Sequence, residues 1–221
     1  MSAPINRISA LLLTAVAVIS ATAGVVLWQL TGEQATGQAR QTGWAALIEL
    51  PKARVIADFA LVDDAGRPFS LQELRGQWSL LFFGFTHCPD ICPSTLYDLK
   101  QVSETLREQS PGALAPHRVL FVSVDPERDS PEKIGPYVRY FDPAFRGLTG
   151  PHEQLAPLTR QMGIAYRIED HEAGSAQYSV DHSASILLTD PQGRLHGVFP
   201  APHDAAKIAA DLVALLSEER G

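Results

Sequence analysis

Cysteine is nearly absent from this chain. Its 221 residues include two, Cys88 and Cys92, too few for a disulfide scaffold, and a structural zinc site would need ligands beyond them. Basic clusters are absent as well. The formal net charge is −7 and no run of Lys and Arg stands out, which argues against a nucleic-acid partner. No internal repeat and no low-complexity segment interrupts an ordinary globular composition, so the chain has room for one domain of good size plus extras. The two cysteines therefore do chemistry together, form one structural bridge, or do nothing.

Long hydrophobic runs are scarce too, with one exception. Ile8 to Leu30 carries no charged side chain and is long enough to cross a bilayer as a helix, with Trp28 near its outer end, where an interfacial aromatic belongs. A cleaved signal peptide is the rival, because Ala21-Thr22-Ala23 fits a small-residue cleavage pattern. The run continues past that point through Val25-Val26-Leu27, which favours an uncleaved anchor. Arg7 and the amino terminus favour a cytoplasmic start, although Arg40 weakens the charge bias. The expected organisation is a cytoplasmic segment 1–7, a transmembrane anchor 8–30, a polar tether 31–50 and a globular domain 51–221. Either reading carries that domain across the membrane, into a compartment more oxidising than the cytosol. The expected location is a bacterial inner membrane, crossed once, with the domain in the periplasm.

The stretch that organises the domain is Trp78 to Leu96. Leu80-Leu81-Phe82-Phe83 is an unbroken apolar run, too short for an ordinary helix, and reads as a strand buried on both faces. Cys88 and Cys92 follow in a turn, and Pro93-Ser94 open a helical pattern that runs to Glu108. A thiolate at such a helix start is expected to be stabilised and its pKa lowered. Before this strand, Val55 to Leu61 and Arg67 to Leu71 read as a hairpin turning at Asp63 to Gly66. After it come a strand at Val119 to Val124 and a helix from Ser130-Pro131 to Phe141, with Ser130 as N-cap. Gly147 to Gly150 reads as a break, His152 to Met162 as a helix and Ile164 to Ile168 as a short strand. Glu169 to Ser179 reads as an exposed loop. Strands at Ser183 to Thr189 and Arg194 to Phe199 and a closing helix at Asp204 to Glu219 complete the chain. The order βαβ, then ββα, is the thioredoxin-like arrangement: an α/β mixed sheet with flanking helices and an N-terminal hairpin, carrying its redox site at the first strand-to-helix turn.

On helical backbone, cysteines four apart share one face, one turn from each other. Sulfurs so placed can bridge, or close on one soft metal ion. Pro89 and Pro93 each follow a cysteine and stiffen the turn. A purely structural disulfide over so short a loop removes little chain entropy and stabilises weakly.

Phe83-Gly84-Phe85-Thr86-His87-Cys88-Pro89-Asp90-Ile91-Cys92-Pro93 resembles the Sco/SenC family of copper-handling proteins. So do the stretch from Val122 to Glu132, with Asp125-Pro126 and Asp129-Ser130-Pro131, and the short Val180-Asp181-His182-Ser183. The resemblance implies a thioredoxin-like domain that binds one copper ion, Cu(I) or Cu(II), through Cys88, Cys92 and His182. It also implies delivery of copper to the dinuclear copper site of cytochrome c oxidase, or maintenance of that site's cysteines in reduced form. The partners so implied are the copper-bearing oxidase subunit, and another copper carrier or a thiol reductase. Thiolates suit Cu(I) and an added imidazole accommodates Cu(II). The strand after His182 should run antiparallel to the central strand, which brings His182 to the cysteine end. His87 is read as tuning the thiolate or lying on the surface. Asp125 is read either as a turn residue before Pro126 or as a group that orients His182 or the metal. Arg128 and Asp129 are read as fixing the loop. His117, His152, His171, His196 and His203 belong to no such constellation and are read as surface residues.

The principal rival is a general thiol-disulfide oxidoreductase of thioredoxin type, with Cys88 and Cys92 as attacking and resolving thiols. Its spacer would have two residues where this chain has Pro89-Asp90-Ile91. A thioredoxin also carries a proline just before the later strand, where this chain has Asp181-His182-Ser183. A peroxiredoxin-type peroxidase would need its threonine three before the cysteine, and Thr86 is two before Cys88. An anchored module that senses copper or redox state would use the same ligands as a carrier.

Overall fold

The computed structural model describes residues 43–109, 117–172, 174–175 and 177–218. Ten strands are assigned among the described residues, and eight of them form one mixed sheet in the order β1 (Ile48–Arg54), β10 (Leu195–Phe199), β9 (Ile186–Thr189), β4 (Trp78–Gly84), β5 (His117–Ser123), β6 (Arg146–Thr149), β2 (Leu61–Asp63), β3 (Pro68–Phe69). At its centre is β4 (Trp78–Gly84), in which every residue is buried. Successive side chains point to opposite faces of a sheet, so complete burial means that both faces are covered. β4 runs parallel to β5 (His117–Ser123) and antiparallel to β9 (Ile186–Thr189). The path β4, α2 (Ile91–Gln109), β5 followed by β9, β10 (Leu195–Phe199), α5 (Ala205–Glu218) is the expected thioredoxin-like order.

The hairpin of β2 (Leu61–Asp63) and β3 (Pro68–Phe69) adds to the far edge, against β6 (Arg146–Thr149). Asp63 closes its turn by accepting the Ala65 and Arg67 amides at 2.9 and 2.8 Å. Its carboxyl lies below the usual range: burial opposes this, and the hydrogen bonds from Arg67 and Ala65 outweigh it. The short helix α1 (Leu71–Leu74) follows, capped by Ser70 and Glu73 in a reciprocal box. Helices α3 (Pro131–Phe141) and α4 (His152–Met162) match their expected spans. Gly163 ends α4 in the left-handed region, φ 73°, where glycine carries no Cβ penalty.

Several expectations need correction. The stretch read as a break at Gly147 to Gly150 holds strand β6, buried at Gly147, Leu148 and Thr149. A Cβ at Gly147 would come within 1.9 Å of Ile134 Cγ2, so this glycine marks the close approach of α3 to the sheet. Strand β1 (Ile48–Arg54), which the sequence does not announce, pairs with β10. Just before β1, the buried Asp211 carboxylate on α5 accepts the backbone amides of Ala45, Ala46 and Leu47 at 2.7, 2.7 and 2.8 Å. Helix α2 begins at Ile91 rather than Ser94, with Pro93 in the first turn, where its missing N–H forfeits no helical bond. The strands on either side of the polar loop, β7 (Tyr166–Ile168) and β8 (Val180–His182), form a separate two-stranded ribbon. The expected anchor 8–30 lies outside the described residues, as does the interruption before β5. Among the described residues, no helix is long and apolar enough to cross a membrane.

Candidate metal centre

Three elements converge at the carboxyl end of β4. The turn after β4 carries Cys88, the first turn of α2 carries Cys92, and the last residue of β8 is His182. Both cysteines are free thiols. The two sulfurs and one imidazole nitrogen all lie within 4.8 Å of one another. Cys92 Sγ is 3.3 Å from His182 Nε2. The antiparallel pairing with β4 is as expected, but the strand that makes it begins at Ile186 rather than Ser183, and His182 ends the separate strand β8.

The two sulfurs have different surroundings. Cys92 is fully buried, and Cys88 is partly exposed. The expected lowering of a thiol pKa at the helix start fails for Cys92, whose pKa is raised far above the usual thiol value. Burial is the main cause; the hydrogen bond from the Phe85 backbone opposes it, and the nearby Cys88 and Asp129 add to it. Cys88 stands before the helix, not on it, and its sulfur accepts the Cys92 amide at 3.5 Å. Gly84 makes room for this arrangement. A Cβ there would lie 2.5 Å from Cys92 Sγ and 3.0 Å from the Phe121 ring.

His182 Nδ1 lies 3.1 Å from the Ser183 carbonyl oxygen. A carbonyl only accepts, so Nδ1 carries the proton and Nε2 presents its lone pair to Cys92. The imidazole is packed edge-on against Phe82 and Phe85 at 5.9 and 5.8 Å. Its pKa is lowered because burial disfavours the charged ring, more than the carbonyls of Ser183 and Phe83 and the charge of Asp181 favour it. A neutral thiol therefore meets a neutral imidazole, with the Cys92 proton directed at Nε2.

Asp125 is buried, and its carboxylate does not bond His182. It accepts the Tyr178 hydroxyl at 2.6 Å and Arg128 Nε at 2.5 Å. Arg128 in turn donates to the Tyr178 carbonyl at 2.9 Å and lies 3.6 Å from the centre of the Tyr178 ring. His171 stacks on Tyr178 with ring centroids 3.7 Å apart, and bonds Glu127 at 3.0 Å. Asp125 thus fixes Tyr178, four residues before His182, instead of touching the imidazole. His171 is part of this clamp, and His196 and His203 are also engaged, with Trp78 and with the Ala184 carbonyl. The surface reading of these three is corrected. Sequence reasoning missed Tyr178 altogether, because no local pattern announces a ring held between two loops.

His87 is half exposed and lies outside the three-residue group. Its Nδ1 contacts Thr86 Oγ1 at 3.1 Å. Asp129, fully buried, accepts the Thr86 amide at 2.8 Å, the Thr86 hydroxyl at 2.5 Å and the Ser123 hydroxyl at 2.6 Å. It pins the cysteine turn to the loop after β5, as its loop-fixing role anticipated.

A thioredoxin-like sheet with two thiols and an imidazole at one strand end defines a soft-metal or redox domain. The SCO1/SenC family model matches residues 49–217, and the chain belongs to that family. It is 43% identical over 151 residues to the mitochondrial protein SCO2 homolog of Bos taurus, covering 68% of this chain and 56% of that one. The chain thus spans a little over half the length of this relative. The crystal structure of Arabidopsis thaliana ScoI with copper bound is similar at 33% identity and TM-score 0.65, covering 74% of this chain and 97% of that one. BsSco, a member of the Sco family of cytochrome c oxidase assembly proteins with a disulfide switch, shares the fold at 21% identity and TM-score 0.57, over 76% of this chain and 97% of that one.

Proposed function

We propose that this chain is a membrane-anchored copper carrier that holds one copper ion between Cys88, Cys92 and His182 and hands it to the dinuclear copper site of cytochrome c oxidase. The observation that carries the copper reading is the convergence of two sulfurs and one imidazole nitrogen within 4.8 Å. Thiolates are good ligands for Cu(I), and the imidazole extends the set to Cu(II). The protein contributes a preset ligand tautomer at His182 and a buried thiol at Cys92 that gives up its proton when the metal takes its place. Copper uptake then releases a proton and is favoured by rising pH. Three ligands leave coordination open, so a recipient's ligand enters before the donor's leave. In this reading segment 8–30 tethers the domain to a bacterial inner membrane, on the periplasmic side. Copper-bound ScoI and the oxidase-assembly role of the Sco family support the assignment.

A second reading is supported by the asymmetry of the pair. A partly exposed Cys88 ahead of a buried Cys92 is also the order of an attacking and a resolving thiol, able to keep the recipient's cysteines reduced. The test is metal analysis of the purified full-length chain beside Cys88→Ser, Cys92→Ser and His182→Ala. The carrier reading expects bound copper, with a thiolate charge-transfer colour in the Cu(II) form, lost in both serine variants. His182→Ala should keep the fold and weaken Cu(II) far more than Cu(I). A parent chain that takes up no copper in either oxidation state and only reduces disulfides would overturn the carrier reading in favour of the second.

A further inference from the structure

The three ligands are not equally accessible. Cys92 is fully buried, Cys88 is partly exposed, and the His87 side chain beside it has 49% exposure. His87 and Cys88 line the same cleft of about 380 Å³, together with Tyr178, Asp181 and His182. Anything arriving through this cleft meets His87, Cys88 and His182 before Cys92, and of these the His87 side chain is half exposed.

The imidazole of His87 is prepared for such an encounter. Thr86 has one hydroxyl proton, and that proton goes to Asp129 at 2.5 Å. Towards His87 the same oxygen can only accept, so the 3.1 Å contact places the proton on His87 Nδ1. In the neutral ring, a proton on Nδ1 leaves the lone pair on Nε2. The buried Asp129 carboxylate, held by the Thr86 amide and the Ser123 hydroxyl, thus fixes the tautomer of an exposed histidine through one intervening hydroxyl. Metal-binding histidines are oriented by such an acceptor on the ring nitrogen away from the metal. A solvated surface histidine has no need of one.

On the copper-carrier reading, we propose that His87 is an outer copper ligand used in transit. An incoming ion is first held by His87 Nε2 and Cys88 Sγ at the mouth of the cleft, the Cys88 thiol proton leaving to solvent as the Cu–S bond forms. Cys92 and His182 then replace His87, and departure follows the reverse order. The step is ligand exchange without oxidation or reduction: a Cu–N bond to His87 breaks, Cu–S and Cu–N bonds to Cys92 and His182 form, and the Cys92 proton leaves to solvent. His87 does not belong to the resting ligand set, because it lies outside the group that converges within 4.8 Å.

A transit ligand lowers a barrier and leaves the end states nearly alone, so rate and affinity must separate. The experiment loads the full-length chain with Cu(I), mixes it rapidly with bicinchoninate, and follows the coloured copper–bicinchoninate complex in parent, His87→Ala and Thr86→Val. Cu(I) affinity is measured by competition with the same chelator. His87→Ala is expected to slow transfer about tenfold, the lower end for loss of an oriented metal-site partner, with a much smaller change in affinity. Thr86→Val keeps the ring and frees its tautomer, so its rate should fall between the two. Transfer from His87→Ala at the parental rate overturns the proposal while leaving the carrier reading intact. Equal loss of rate and affinity also overturns it, since that marks a structural residue or a resting ligand. A parent chain that takes up no copper removes the carrier reading itself, and this proposal with it.

Discussion

The two ends of the metal centre are built in different ways. The cysteine end is part of the core: β4 is buried throughout, α2 starts beside it, and Gly84 lets Cys92 Sγ nestle against the strand. The histidine end is a two-stranded ribbon outside the main sheet, reached by a polar loop. The ribbon pairs His182 with Tyr166, and side chains hold the loop beyond it: Tyr178 between His171 and Arg128, with Asp125 beneath. A packed core keeps two sulfurs in register with little freedom. A clamp of rings and charges can loosen one imidazole without disturbing the sulfurs. On the carrier reading, Cu(I), satisfied by thiolates, would depend on the first end, and Cu(II) would depend on both.

Breaking the clamp should therefore have the largest selective effect. Tyr178→Ala removes the ring from both partners and leaves Arg128 and Asp125 with each other. Cu(II) affinity is expected to fall about 10–100-fold, as for loss of other groups that position a metal ligand, with Cu(I) affinity changed far less. Competition titration in both oxidation states measures this, and equal losses would erase the distinction between the ends. Tyr178→Phe, which keeps the stack and gives up only the hydroxyl bond to Asp125, should lie between.

Disturbing the other end should produce a different pattern. Gly84→Ala sets a methyl group against Cys92 Sγ, and overpacking of this kind costs about 1–3 kcal/mol. Both copper states should weaken together, with a matching loss of apo-protein stability in denaturant unfolding. An unchanged midpoint would mean that Cys92 yields as easily as the loop does.

The smallest effect sharpens the contrast through pH. Burial raises the Cys92 pKa, so its contribution to stability is complete below the ordinary thiol value and is lost as pH rises above it. Burial lowers the His182 pKa, so its contribution is present above the ordinary imidazole value and is lost as pH falls below it. Unfolding of the apo protein across pH should show an alkaline flank that Cys92→Ser flattens and an acid flank that His182→Gln flattens. One substitution flattening both flanks would show that the two ends titrate as one unit.

Much of this was legible in the sequence where a local pattern and the tertiary environment agree. Leu80 to Phe83 is apolar on both faces because both faces are covered. Ser130-Pro131 and Gly163 marked helix ends that the structure keeps. Cys88, Cys92 and His182 came from the family motifs, and the topology made their meeting plausible. The elements that escaped are those set by partners distant in sequence. β1 is half exposed at the sheet edge and has no apolar rhythm. β6 carries a glycine because Ile134 needs the space. The helix-end rule gave the wrong direction for Cys92 because a fully buried thiol answers to desolvation before it answers to a dipole. Asp125 was recognised as worth attention, but its route to His182 through Tyr178 depends on contacts that span 53 residues.

The grip of Asp211 on Ala45, Ala46 and Leu47 has a mechanical consequence. A pull on the chain from its amino-terminal side arrives first at three charge-assisted hydrogen bonds on α5 and at the edge strand β1. Strands β10 and β9 stand between that edge and β4. Tension thus meets the rim of the sheet first, two strands away from the strand that leads into the sulfur-bearing turn.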